Sequence, residues 1–314
     1  MTMQGIEPTI GSYETADINE LVSRMLRDLG NPEPPLSLDV VRHLQKLDLT
    51  YYSKTDLNLL DEMAHRAKMA GSTLMSSARH MIEVVEKFNL RGLLMLKQDE
   101  KKIFIDNDVV QLKRRFIIAH EILHDLLPWH RSLLLGDNES TLSPSCHQLM
   151  EAEANYGARR LIFLGDRFHR EAKDLELSWK SIQAVKERYG NTLTTALWQM
   201  VCERYPDHPV FGLISRHPLH PEIGGRVDGS AVSHMMRSRG FQARFSKVVS
   251  ADAYRLVRTY ISGRKKGPIG SGICRMVDSN GETYEFEMSS FSNGYDVLTF
   301  GSLVNVAKFV LPTR

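Results

Sequence analysis

The chain has 314 residues, of which 42% are apolar and 25% charged, with a formal net charge of +2. These totals exclude a disordered chain and a halophilic surface, and the length allows one large domain or two with an ample core. Three cysteines, Cys146, Cys202 and Cys274, form no even framework and no C-x-x-C pattern, which excludes a disulfide scaffold and points to a reducing cytoplasm. Residues 1–14 read as a loose leader lacking the basic and apolar regions of a signal peptide. No stretch approaches the roughly 18 apolar residues of a membrane span, so no membrane partner is expected.

Ala16–Leu29 reads as an amphipathic helix, with Ile18, Leu21, Val22, Met25 and Leu29 apolar and Gly30 at its end. Asn31–Pro35 is a proline-stiffened connector. Ser37 is placed to cap a helix over 38–47, and 49–52 reads as a short strand. From Asn58 to Phe88 helical patterns dominate, broken near Gly71, and Met63, Met69, Met75 and Met81 fit core filling. His65 and His80 in that region fit core or solvated side chains better than ligands. Leu93–Leu96 and Lys102–Ile105 read as a hairpin whose edge strand can receive an extended peptide.

Lys113–His130 comes next and carries the strongest signal. Phe116, Ile117, Ala119, Leu123 and Leu127 recur at helical spacing until Pro128. Inside the run stands His120-Glu121-Ile122-Leu123-His124, an H-E-x-x-H pattern, which a chain of this composition would show by chance about 0.03 times. Four residues advance a helix by roughly 400°, so His120 and His124 project from one face, one turn apart. Two such imidazoles can bind one Zn²⁺, with Glu121 beside them to take a proton from a water the metal activates. A third protein ligand is then needed.

The candidate lies in Gln148–Phe163, also helical by pattern. Ala154, Ala158, Leu161 and Ile162 form a stripe that includes Glu151 and Asn155, whereas Glu153 falls with Gly157 and Arg160 on the polar side. A carboxylate on a packing face is costly unless paired or metal-bound, which favours Glu151. Asn155, one turn on, is placed to support a ligating side chain. His147, one turn before Glu151, either approaches the metal or is a solvated loop residue. Tyr156, His147 and His130 are the candidates for stabilising an oxyanion or contacting substrate.

RRFIIAHEILH followed by EAEANYGARRLIF resembles the ImmA/IrrE family of metallopeptidases, in which R-x-R-F-x-x-A-H-E-x-x-H precedes E-x-E-A-N-x-F-A. Lys102–Asn107 and Pro34–Tyr51 resemble the family's flanking segments, so the likeness spans residues 15–205. It implies a mostly helical, zincin-like metallopeptidase domain with a small β-sheet. Carried over, it makes His120, His124 and Glu151 a gluzincin-like ligand set for Zn²⁺, with Mn²⁺ as the alternative, and Glu121 the catalytic base. It further implies a cytoplasmic stress-response protease whose substrate is a regulatory protein such as a DNA-binding repressor. Gly157 departs from the family's aromatic, and Pro128 stands where a histidine is common, with His130 nearby.

Beyond Phe163, two helices at 181–189 and 193–203 are spaced like a helix-turn-helix. Residues 206–225, rich in Pro and Gly, read as a linker. His208, His217 and His220 lack the partners of a second metal site. Residues 226–314 read as a smaller mixed α/β recognition or sensing domain, beginning with helices at 230–239 and 251–261 and ending in strands at 272–277, 282–288 and 295–299. Asp278-Ser279-Asn280-Gly281 is a hairpin turn. The Gly267–Gly272 string reads as a connector. Ala231–Arg275 holds ten Arg and Lys against one acid, Asp252, a surface open to nucleic acid or an acidic partner. The fold class expected is α+β. The function expected is a metallo-endopeptidase; the alternatives are a DNA-binding regulator and a toxin–antitoxin or phage-defence protein whose metal domain binds a partner.

Overall fold

The computed structural model describes residues 8–53, 92–97, 100–131, 144–219 and 231–306. The helical pattern at 58–88, most of the 131–147 loop and His220 lie outside the described residues. The architecture is α+β with two sheets. The chain forms two compact units, one of residues 7–167 with 187–192, the other of 168–186 with 193–314. A boundary near 205 therefore does not hold.

In the first unit, α1 (Ser12–Asp28) starts inside the expected leader and buries Ile18, Val22, Met25 and Leu26. Ser37 precedes α2 (Leu38–Gln45), but its side chain makes no capping hydrogen bond. A three-stranded sheet follows, in the order β1 (Leu47–Tyr52), β3 (Glu100–Asp106), β2 (Gly92–Lys97). The expected hairpin forms, with Leu94 opposite Ile103, while β1 runs parallel to β3. Ile103, Phe104 and Ile105 are all fully buried, as befits a central strand covered on both faces.

Two helices then carry the motif residues, α3 (Gln111–Leu126) and α4 (Pro144–Ile162). Helix α3 buries Ile118, Ala119, Ile122 and Leu123, the i, i+4 and i+1, i+5 positions of one face. They meet closely at Gly157, where a Cβ would lie 2.5 Å from Leu123 Cδ1 and 3.2 Å from Ile18 Cγ2. A side chain at position 157 would collide with Leu123. Asp125, directly after the motif, is buried between Lys101 Nζ at 2.9 Å and Arg131 Nε at 3.3 Å. That ion pair ties the C-terminal end of α3 to β3.

Helices α5 (Asp166–Ala172) and α6 (Trp179–Tyr189) contain the division between the units, and α7 (Leu193–Glu203) belongs to the second. Its antiparallel sheet has the order β5 (Val232–Arg237), β4 (Val210–Ser215), β8 (Val297–Val306), β7 (Thr283–Ser292), β6 (Gly267–Val277). Three expectations are corrected here. The stretch read as a linker contains β4, buried along its whole length between β5 and β8. The helix expected over 230–239 is β5, because pairing with β4 overrides the i, i+3, i+4 spacing of Val232, Met235 and Met236. The glycine-rich string is the first half of β6, paired with β7.

Short helices α8 (Arg239–Arg244) and α9 (Ser250–Val257) contribute Phe241 and Tyr254, with Phe245 just after α8, to a core with Phe211 and Phe286. Four of the ten basic residues of 231–275 pair with carboxylates of this unit. Arg239, Arg244, Arg255 and Arg275 pair with Asp207, Asp278, Asp252 and Glu285. Arg237, Lys247 and Arg264 donate to backbone carbonyls.

Candidate metal centre

Helix geometry alone sets His120 and His124 side by side, with Nε2 atoms 3.0 Å apart. Packing of α4 on α3 then brings Glu151 to them, Oε2 at 3.3 Å from His120 Nε2 and Oε1 at 3.5 Å from His124 Nε2. One ligand atom from each of the three lies within 4.8 Å of the others, and no other such His, Cys, Asp and Glu group occurs among the described residues. Two ligands about 2.05 Å from a tetrahedral cation stand about 3.3 Å apart, so the observed separations fit one zinc-sized ion.

Electron distribution supports the fit. Asn155 Oδ1 is 3.1 Å from His120 Nδ1, and an amide oxygen only accepts, so Nδ1 carries the ring proton. The His120 Nε2 lone pair therefore faces the Glu151 carboxylate, an arrangement that becomes favourable once a cation lies between them. In the ion's absence protons serve instead. Burial raises the Glu151 pKa, but hydrogen bonds from His120 and His124 outweigh it and hold the carboxyl well below its usual range. Burial lowers that of His120, but Glu151 and the charge of Glu121 reverse the shift, and the net direction is upward.

Glu121 is buried beside the ligands without being one. Burial raises its pKa against the pull of His120 and His124, and its carboxylate accepts the backbone N–H of Leu94 on β2. A buried carboxylate beside the candidate ligands and not among them is placed to accept and return a proton. Gly92 makes that placement possible, since a Cβ there would lie 2.7 Å from Glu121 Oε1 and 2.4 Å from Ile117 Cγ2.

The remaining candidates separate. Asn155 supports His120 as expected. Tyr156 donates its hydroxyl to Asn19 Oδ1 on α1 at 3.0 Å, and His147 is exposed and outside the ligand group. His130 is fully buried, its Nδ1 3.0 Å from His124 Nδ1 and its Nε2 2.8 Å from Glu153 Oε2. It stands behind His124, one of the three candidate ligands. Glu153, assigned to a polar face, is 3% exposed and also accepts the Trp129 indole N–H at 2.7 Å. The signal for it was available: Ala152, Ala154, Gly157 and Ala158 are small on several sides of α4, the mark of an enclosed helix.

No protein-family model and no curated protein matches the chain. Among solved structures it is similar to a Mycobacterium tuberculosis transcriptional regulator, at 13% identity over 92% of this chain and 88% of that chain, with a TM-score of 0.48. A likeness of that size carries no argument about activity.

Proposed function

We propose that the chain is a zinc-dependent metallo-endopeptidase with a zincin-like active site, in keeping with its resemblance to the ImmA/IrrE family. The observation that carries this reading is the convergence of His120, His124 and Glu151 with a buried, non-ligating Glu121 alongside. When bound, Zn²⁺ (or Mn²⁺ in its place) supplies Lewis acidity that polarises a water and the scissile carbonyl. Glu121 takes the proton that water releases at its carboxylate and returns it to the departing amine. His120 and Glu151 are held on target by Asn155 and by the α3–α4 packing. β2, last in its sheet among the described residues, runs beside Glu121 and suits an extended peptide added as a further strand. The substrate expected from the resemblance is a regulatory protein such as a repressor, with the second unit as recognition or sensing module.

Zinc-loaded protein incubated with a library of natural peptide sequences is expected to generate new termini, read by mass spectrometry. Absence of any new terminus with one zinc bound per chain would overturn the proposal. Gly92→Ala tests the strand contact: the added methyl should displace Glu121 and lower hydrolysis by about 10²-fold, because misplacement by about 1 Å costs that much. Zinc content should not change.

A further inference from the structure

The second imidazole of the triad is supported differently from the first. His120 meets an amide oxygen, but His124 meets another imidazole, and which of the two Nδ1 atoms donates across their 3.0 Å contact is not set by that pair alone. Glu153 decides it. The Trp129 indole can only donate, and its bond to Glu153 Oε2 marks that oxygen as an acceptor. His130 Nε2 reaches the same oxygen at 2.8 Å, so two donors converge on one carboxylate oxygen and the proton lies on His130 Nε2. A neutral His130 then has a bare Nδ1, which accepts from His124 Nδ1–H and leaves the His124 Nε2 lone pair facing Glu151. The opposite polarity would place a proton on His124 Nε2, where the cation must bind.

We infer that Glu153 and His130 are positioning residues that set the tautomer of His124, holding its proton on Nδ1 and freeing Nε2 for the metal. Groups of this kind behind a ligating histidine typically change metal affinity by about 10–100-fold. The inference rests on the metal centre proposed above, but not on peptide hydrolysis.

The test uses the full chain stripped of metal with a chelator. Nitrogen-15 NMR of histidine-labelled protein reloaded with one Zn²⁺ per chain should find His124 bound through Nε2, with its proton on Nδ1. Zn²⁺ affinity, measured by chelator competition, should fall about 10–100-fold in His130→Leu, which keeps bulk but removes the acceptor. His130→Asn, which returns an acceptor oxygen near the Nδ1 position, should recover most of that loss. A merely structural role would not be rescued in this order. A zinc-loaded wild type in which His124 binds through Nδ1 overturns the inference, even if His130→Leu does not fold. So does a folded His130→Leu that binds zinc as tightly as wild type. Should the wild type bind zinc yet cut nothing, the peptidase reading fails and this one stands.

Discussion

Glu121→Gln is expected to keep its zinc and to lose about 10²–10⁴-fold in peptide hydrolysis, the usual contribution of a placed acid–base. The substitution is nearly isosteric, and the new amide oxygen can still accept the Leu94 N–H, so the side chain stays beside β2. It is not among the three residues whose atoms converge on the ion site, so no ligand is lost. What disappears is a group able to hold a proton between the attack on the carbonyl and the departure of the amine. Zinc content by elemental analysis and initial rates on any peptide the wild type cuts measure the two effects separately. Unimpaired hydrolysis would move the proton transfer to another group.

Glu151→Ala should weaken zinc binding about 10²-fold. Removing one of three protein ligands forfeits roughly a third of a binding free energy of about 10 kcal/mol, hence about two orders of magnitude in affinity. The variant should fold, because the Glu151 side chain is 42% exposed, whereas His124 is 9% exposed and packed against His130. It should also lose the rise in melting temperature that zinc gives the wild type, since a ligand stabilises only the state that binds it. His120→Ala should behave alike in metal content. Full zinc occupancy in either variant would show that the ion sits elsewhere.

Much of this site was legible before any tertiary contact was considered. The pairing of His120 with His124 follows from helix pitch, whereas the packing-face argument that favoured Glu151 had the burial reversed: Glu153 is the enclosed acid and the Glu151 side chain is 42% exposed. The hairpin turn at 278–281 was equally local: Asp278 Oδ1 accepts the backbone N–H groups of Asn280 and Glu282. The failures have a common form. Val210–Ser215 is an unbroken buried run that its Pro- and Gly-rich flanks disguise, and Val232–Arg237 is a strand only because β4 lies beside it. Of the four carboxylates that pair with basic residues of 231–275, three, Asp207, Asp278 and Glu285, lie outside that window, where a local count does not register them.

By itself, the sequence determined the chemistry on offer: two imidazoles one turn apart, a carboxylate between them in the chain, and a second helix carrying two acids. Those relations depend on periodicity, which covalent geometry sets within a few residues. Tertiary structure decided which partner each ring nitrogen meets and which glutamate is enclosed. The direction of a hydrogen bond is fixed by the partner at its far end, and Glu153 reaches His124 only through His130, across 23 residues of chain that periodicity does not constrain.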